Sequence, residues 1–264
     1  MFPFVTILGK TIPTYSLWVL SGLSAGLLAA VLLAGKFHLR KDDTIYASLY
    51  AMMGIVAGGK IFYLLLNPVT VLTYLQHYGI ASIMRGGFVF YGGLAGGLIG
   101  TVIYCKQYRI PTAPMIALML TVTPLIHAFG RIGCLFAGCC YGIECNTAFA
   151  VIISERALFP VQLLEASANL LLFIVLLIFV RKQVGPGCQI TTYLVGYASI
   201  RFICEFFRDD PERGIWGILS TSQIISIIIF LAVAFRFTGI RSGKRNRKQT
   251  LPDHAPSSSG RKPH

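Results

Sequence analysis

The chain has 264 residues, of which 55% are hydrophobic and only 12% are charged, and its mean hydropathy is +0.70. Soluble domains usually contain about 25% charged residues, so this composition excludes a soluble globular protein. A disordered chain would lack so much apolar mass, and neither a collagen nor a coiled-coil repeat is present. The seven cysteines are an odd number, which argues against a disulfide framework. An integral membrane protein remains.

Apolar stretches of about 20 residues, the length that crosses a bilayer, recur along the chain. They predict seven transmembrane helices, at residues 12–34, 44–66, 88–104, 113–137, 161–180, 189–207 and 216–237. The first run is too long for the core of a cleavable signal peptide. The long 138–160 connection contains a strand-like stretch, 146–153, that predicts part of a hairpin. The predicted fold class is an all-α integral membrane protein.

Basic residues predict how the chain is oriented. One set of alternate connections, together with the C-terminal segment, holds fifteen Lys and Arg, against five in the other set. Cytoplasmic segments carry the excess of basic residues, so we expect the N-terminus outside and the C-terminus in the cytoplasm. The long connections at 67–87 and 138–160 would then form a small extracytoplasmic cap.

Much of the net charge of +13 lies at the C-terminal end. We predict a membrane domain at 1–238 and a basic cytoplasmic tail at 239–264, which is rich in Gly, Ser and Pro and is expected to be disordered. A basic segment beside a membrane helix typically binds anionic lipid. Because no basic motif interleaved with aromatic residues is found, nucleic acid is not an expected partner.

Ionisable side chains within the predicted spans are the first candidates for a functional site, because a charge there costs at least about 2.5–3.5 kcal/mol. In the fourth span, His127 and Arg131 are four residues apart and share one helix face. Gly130 and Gly133 leave room beside the arginine. Arg131 could snorkel to the outer interface, but we favour an anion-binding guanidinium that faces the bundle interior.

Two further spans carry polar residues near one end. Arg201, Glu205 and Arg208 have i, i+4, i+7 spacing and are predicted to form one helical stripe, either a structural ladder of salt bridges or part of a site. Gln162 and Glu165 lie three residues apart near the start of the fifth span. Alone, they indicate only a polar first turn with an acid near the helix N-terminus.

The third span is rich in glycine. Two small-xxx-small pairs, Gly93 with Gly97 and Gly96 with Gly100, predict close packing against another helix. Glycine pairs on both sides of Tyr91 also permit unusual backbone conformations there.

Four cysteines follow Arg131 with the spacing Cys134-x4-Cys139-Cys140-x4-Cys145. This is not the spacing of a standard zinc site, so the sequence predicts no metal. Small buried side chains are the favoured interpretation, and a reactive thiol activated by the nearby arginine is the alternative.

Taken together, these segments resemble the bacterial prolipoprotein diacylglyceryl transferase family over about residues 7–237. Six short motifs occur in the family's order, and their order is more specific than any one of them. They are Ala57-Gly58-Gly59-Lys60-Ile-Phe-Tyr63, Phe90-Tyr91-Gly92-Gly93-Leu94, Gly130-Arg131-Ile-Gly133 with a closing Gly142, Pro160-x-Gln162-Leu-x-Glu165-Ala166, Arg201-Phe-x-x-Glu205-x-x-Arg208 and Leu219-Ser220-x-x-Gln223. Tyr15 in the first span also matches.

The resemblance implies a multi-pass enzyme of the bacterial cytoplasmic (inner) membrane that needs no cofactor. It would transfer the diacylglyceryl group from phosphatidylglycerol to the lipobox cysteine of a preprolipoprotein, forming a thioether and releasing glycerol phosphate. The expected catalytic residues are Arg131, Arg201, Glu205 and Tyr91. The expected substrate-binding residues are Arg131, Tyr15, Gln162, Glu165, Gly93, Gly142 and Arg208.

The chain departs from the family's motifs at polar positions. The family's histidine before Gly-Gly-Leu is Tyr91 here, and two asparagines and a glutamate of its signature are Cys134, Ala137 and Cys139. The identity of the base that would ionise the acceptor thiol is therefore an open question. The candidates are Tyr91, Glu165, Glu205 and His127. Two other functions also stay open: a related lipid-headgroup transferase with another acceptor, and an anion or lipid transporter that uses the arginine-lined cavity.

Overall fold

The computed structural model describes residues 3–7, 9–79, 87–147, 149–153, 155–209, 215–216 and 219–249. Within these residues the α-helices are α1 (Thr14–Leu33), α2 (Lys41–Leu66), α3 (Pro68–Tyr78), α4 (Phe90–Gln107), α5 (Thr112–Ala137), α6 (Val161–Arg181), α7 (Pro186–Cys204) and α8 (Thr221–Gln249). Antiparallel hairpins join β1 (Phe4–Ile7) to β2 (Lys10–Pro13), β3 (Val151–Ile153) to β4 (Arg156–Leu158), and β5 (Ile215–Trp216) to β6 (Leu219–Ser220).

Each predicted transmembrane span overlaps a helix, although residues 205–207 of the sixth span form a 3-10 turn and the seventh begins five residues before α8. The additional helix α3 lies in the 67–87 connection. Among the described residues, four helical stretches are long and apolar enough to cross a bilayer: Thr14–Phe37, Lys41–Leu66, Thr112–Ala137 and Val161–Arg181. The prediction of an all-α membrane protein is thereby confirmed. The number of seven spans and the orientation of the termini stay predictions.

Glycines make the contact between α2 and α4. A Cβ built on Gly54 or Gly58 of α2 would overlap the backbone of Gly96 or Gly92 of α4, and one on Gly100 would overlap the α2 backbone. Lipid tails are as apolar as the helices, so close van der Waals contact of this kind has to replace the hydrophobic effect. The predicted close packing of the third span is confirmed.

Helix α5 is the centre of the remaining bundle and packs against α1, α6 and α7. On the α1 side, the Ile126 side chain fills the space left by Gly26. The α6 face differs, because it buries polar groups. Three polar side chains of α6 are at most 1% exposed: Gln162, Glu165 and Asn169. Burying a polar group costs free energy unless the group has a partner. The contact between α5 and α6 is therefore built from polar interactions as well as apolar packing.

The 138–160 connection contains the predicted hairpin, but the strand is shorter than expected. β3 begins at Val151 instead of residue 146 and pairs with β4 in the register Val151↔Leu158. A turn precedes the strand, since the Ala150 N–H donates to the Thr147 carbonyl at 3.0 Å and interrupts the extended backbone. The extracytoplasmic position of this hairpin stays a prediction.

Helix α8 continues to Gln249, past residue 238, where the sequence predicts a disordered tail to begin. The prediction of a disordered tail at 239–264 stays a prediction. Extending an existing helix fixes one residue per added hydrogen bond, and the Arg, Lys and Gln of this segment are good helix formers. Residues 250–264 lie outside the described residues, and the division into membrane domain and tail stays a prediction.

Candidate functional site

The buried carboxylate of Glu165 is the centre of the site. Glu165 lies near the start of α6 and is 1% exposed. Its Oε1 lies 3.0 Å from Arg131 Nε on α5, and its Oε2 lies 3.3 Å from Arg201 Nη1 on α7. One carboxylate thus ties three helices together and stands between two guanidinium groups, a role that the prediction of a polar first turn missed.

Arg131 faces the bundle interior, as predicted. Its side chain is 15% exposed, and its ionic partner Glu165 belongs to a neighbouring helix. The Nε–H is not aligned with the carboxylate oxygen, and this buried donor has no hydrogen-bond partner among the described residues. The pair is therefore held by charge, and one buried N–H is left for another acceptor.

Arg201 joins the ends of three helices. Its Nη2 lies 3.0 Å from Glu205 Oε2 and donates a hydrogen bond of 2.7 Å to Ser222 Oγ at the start of α8. Glu205 is 4% exposed, so this ion pair is buried as well. The predicted pairing of Arg201 with Glu205 on one stripe is confirmed, whereas the contact with Ser222 was not predicted.

The last sequence motif, Leu219-Ser220-x-x-Gln223, lies at the start of α8. The Ser220 hydroxyl accepts a hydrogen bond of 3.2 Å from the Gln223 N–H, and Gln223 Oε1 accepts one of 3.0 Å from the Ser220 N–H. This reciprocal pair is a capping box, which fixes the first turn of the helix. It thereby positions Ser222 for its contact with Arg201.

Arg208 does not continue the predicted stripe. α7 ends at Cys204, and Glu205–Phe207 forms a 3-10 turn after which Arg208 has extended backbone. A 3-10 turn has three residues per turn instead of 3.6, so the i, i+7 relation to Arg201 is lost and the prediction is wrong beyond Glu205. Arg208 instead forms a β-bridge with Gly142 and is 9% exposed. It remains within electrostatic range of Glu165.

The cluster has a net positive charge. It contains the guanidinium groups of Arg131, Arg201 and Arg208 and the carboxylates of Glu165 and Glu205. His127 Nε2 lies 3.8 Å from Glu165 Oε1. With His127 neutral, the three arginines exceed the two carboxylates by one charge, which favours binding of an anion in this low-dielectric site.

Two tyrosines border the charged groups. The Tyr197 ring lies 5.3 Å from the His127 ring, centroid to centroid, and Tyr197 is in electrostatic range of Arg201 and of Tyr91. Tyr91 on α4 is 39% exposed, so it lies where an incoming substrate can reach it. Tyr197 was not a predicted site residue, although its position four residues before Arg201 indicates the same helix face.

Two predicted substrate-binding residues lie beside the C-terminal end of α5. Tyr15 of α1 packs against Gly133 and is in electrostatic range of Arg131. Gln162 of α6 donates a hydrogen bond of 2.8 Å from Nε2 to the Cys139 carbonyl, while its buried Oε1 has no partner among the described residues. Both residues are therefore at the site, and their contact with substrate stays a prediction.

The two predicted glycines have packing roles. A Cβ on Gly93 would lie 2.8 Å from the ring of Phe88, and a Cβ on Gly142 would lie 2.6 Å from the carbonyl oxygens of Phe159 and Phe207. Gly142 is thus required for the close approach of three backbone segments, including the one that carries Arg208. Substrate contact at either glycine stays a prediction.

Three cysteines converge where α5 ends. The Sγ atoms of Cys134, Cys139 and Cys140 all lie within 4.8 Å of one another. Gly138 has left-handed backbone (φ 72°) and turns the chain back, so that the Cys139 N–H donates to the Cys134 carbonyl at 3.2 Å. The Cys139 thiol donates a hydrogen bond of 3.7 Å to the same Cys134 carbonyl. Spacing in the sequence did not reveal this convergence.

Comparison with known proteins agrees with the sequence motifs. A family model described as prolipoprotein diacylglyceryl transferase matches residues 3–238. The chain is 32% identical over 226 residues to the phosphatidylglycerol–prolipoprotein diacylglyceryl transferase of Clostridium tetani, covering 81% of this chain and 89% of that protein. It is 30% identical over 232 residues to the transferase 2 of that name from Clostridium perfringens (85% and 90% covered). A Campylobacter jejuni protein of the same name is 28% identical over 256 residues (91% and 94%).

Proposed function

Because the chain belongs to the prolipoprotein diacylglyceryl transferase family, we propose that it transfers the diacylglyceryl group of phosphatidylglycerol to the lipobox cysteine of a preprolipoprotein. The observation that carries the proposal is the buried cluster in which Glu165 holds Arg131 and Arg201. A transferase that handles a phosphodiester lipid needs fixed cations at membrane depth, and this cluster supplies them.

The cluster is suited to hold the phosphate of the donor. Guanidinium groups bind phosphate through paired N–H donors, and Arg131 keeps one buried N–H without a partner among the described residues. Glu165 fixes the arginines before the donor arrives, so little reorganisation is needed on binding. The excess positive charge favours the anionic headgroup.

The same groups suit the leaving step. The acceptor thiolate attacks the glyceryl carbon, a carbon–sulfur bond forms, and the bond from that carbon to the phosphate oxygen breaks. Negative charge grows on the departing glycerol phosphate, and preoriented guanidinium groups stabilise it most in the transition state. Removing one such donor typically slows an enzyme by about 10²- to 10³-fold.

Of the four candidate bases, the two carboxylates are the poorer. Glu165 and Glu205 are committed to ion pairs with arginines, so neither carboxylate is available to take the proton of the acceptor thiol. His127 and Tyr91 remain. His127 adjoins Glu165, whereas Tyr91 is the more exposed of the two and stands at the position of the family's histidine.

A direct transfer assay tests the proposal. Purified protein is incubated with labelled phosphatidylglycerol and a lipobox peptide, and mass spectrometry is used to look for a diacylglyceryl thioether. We expect the adduct with the cysteine peptide and none with a peptide that has serine in its place. Adduct formation only with another headgroup lipid or another thiol would favour the related transferase. Transport of labelled lipid without any adduct would favour the transporter.

We also propose seven spans in the bacterial inner membrane, with the N-terminus outside and the basic C-terminal segment bound to anionic lipid. The support is the distribution of Lys and Arg along the chain. Reporter fusions after Lys41 and Arg245 should report the cytoplasm, and a fusion after Gly79 should report the outside. The opposite pattern would reverse the orientation.

A further inference from the structure

The three cysteines at the end of α5 have the geometry of a metal site. Their Sγ atoms lie within 4.8 Å of one another, and each offers one ligand atom. In a tetrahedral zinc site with Zn–S bonds of about 2.3 Å, the sulfur atoms are roughly 3.8 Å apart. Small side-chain rotations are therefore enough to bring Cys134, Cys139 and Cys140 to one ion.

The surroundings hold this arrangement in place. The left-handed turn at Gly138 brings the cysteine pair back over the helix end, and Gln162 Nε2 anchors the Cys139 carbonyl at 2.8 Å. Cys140 itself has left-handed backbone (φ 57°), which non-glycine residues seldom adopt and which tends to occur at functional sites.

The electrostatics also fit a thiolate-bound ion. Three thiolates and one divalent cation carry a net charge of minus one. Arg131 lies in electrostatic range of Cys134 and Cys140, and Arg208 is in range of Cys140. These arginines compensate the charge of the complex.

One side of the group is open. Cys134 is buried, Cys140 is partly buried and Cys139 is exposed, so an ion held by the three would face solvent on the Cys139 side. Three protein ligands with an open fourth position are the pattern of catalytic zinc, whereas structural zinc sites use four.

We propose that Cys134, Cys139 and Cys140 bind a thiophilic divalent cation such as Zn²⁺, whose fourth position takes the thiol of the acceptor peptide. The binding of the acceptor thiol to the metal rests on the proposed transferase function. On coordination the acceptor S–H bond breaks, the proton leaves to solvent on the open side, and the metal-bound sulfur becomes a thiolate at neutral pH. That sulfur then forms the carbon–sulfur bond while glycerol phosphate leaves. The ion would supply the activation for which this chain lacks the family's histidine.

Cobalt substitution tests the binding. Purified protein titrated with Co²⁺ should bind one equivalent and show thiolate-to-cobalt charge-transfer absorption, and Zn²⁺ should displace it. Cys139→Ser, at the exposed position, should weaken binding by at least about tenfold with unchanged thermal stability of the metal-free protein. The matched controls are Cys145→Ser, six residues after Cys139, and Cys188→Ser at the start of α7. Both variants should bind Co²⁺ as the wild type does. Absence of charge-transfer absorption in the wild type, or an unchanged Co²⁺ affinity in Cys139→Ser, would overturn the metal site.

Acceptor binding and transfer are measured separately. Addition of the lipobox cysteine peptide to the Co²⁺ protein should change the absorption, and the serine peptide should not; an identical response to both peptides contradicts the open thiol position. If metal-free protein transfers the diacylglyceryl group at the full rate, the inference is wrong and the proposed function stands. If the cysteine peptide binds the metal but phosphatidylglycerol yields no thioether, the proposed function fails and the metal site stands.

Discussion

Two of the helix contacts in this bundle are built on opposite principles. Between α2 and α4, glycines bring backbones into contact, and Gly54, Gly58, Gly92 and Gly96 leave no room even for a methyl group. Between α5, α6 and α7, the contact is a chain of charges through Glu165. The first face can only hold helices together. The second also holds them together, but it leaves a net charge and a buried Arg131 N–H with no partner in the part of the chain that the structure describes, and a ligand can use both.

The largest expected effect is that of Glu165→Gln, which removes the charge but keeps the size of the side chain. Two buried arginines would lose their shared partner, and breaking a buried ion pair from one side typically costs about 3–5 kcal/mol. We expect loss of detectable transfer and a lower unfolding temperature in the same detergent.

Glu144→Gln is the matched control, because the Glu144 side chain is 65% exposed in a surface pair with Arg156 at 3.4 Å. Such pairs contribute about 0–1 kcal/mol, so its activity and stability should stay near those of the wild type. Wild-type transfer by Glu165→Gln would remove the charged face from the mechanism.

The second effect separates chemistry from stability on the charged face. Arg131→Lys retains a positive charge near Glu165 but loses the planar guanidinium, which binds phosphate through two donors. We expect transfer to fall by about 10²-fold or more with little change in unfolding temperature. Arg156→Lys, at an exposed position, is the control. An unchanged rate in Arg131→Lys would mean that any cation is sufficient there.

The third effect belongs to the glycine face and should show the reverse pattern. Gly58→Ala places a methyl group against the Gly92 carbonyl, and overpacking of this kind costs about 1–3 kcal/mol. We expect a lower unfolding temperature and a normal transfer rate per folded molecule. Gly35→Ala, where nothing lies within 4 Å of the added methyl, should leave the unfolding temperature of the wild type. A slow but stable Gly58→Ala variant would contradict the purely structural role.

The smallest effect is expected at the edge of the site. Tyr91→Phe removes a phenol hydroxyl, which can hydrogen-bond or orient a substrate but is a poor general base while it keeps its proton, so its loss should reduce transfer by only a few-fold. Tyr91→His, which restores the residue found in the family, should be tolerated or should raise the rate. Complete loss of transfer in Tyr91→Phe would make this tyrosine essential for a reason that the charged cluster does not explain.

Local patterns in the sequence were sufficient for much of the fold. Apolar periodicity predicts the helices, i, i+4 spacing predicts that Arg201 and Glu205 pair, and the family resemblance is confirmed by the family model. The role of Glu165 was missed because its partners Arg131 and Arg201 belong to other helices, so no local spacing brings them together.

Local departures from ideal geometry caused the remaining errors. One 3-10 turn after Cys204 moves Arg208 off the helical stripe, and one left-handed glycine, Gly138, brings three cysteines together that the spacing had not linked. A pattern that assumes 3.6 residues per turn cannot anticipate either feature.

The central claim is that Glu165 and the arginines act as one unit, and a double-mutant cycle on the transfer rate tests it most directly. Residues that act as a unit are non-additive, because the first substitution already removes what the second would. The rates of wild type, Arg131→Lys, Glu165→Asp and the double variant are compared in the same vesicles. We expect the double variant to be hardly slower than the slower of the two single variants. A loss equal to the product of the two single losses would show that Glu165 and Arg131 act independently and would contradict this claim.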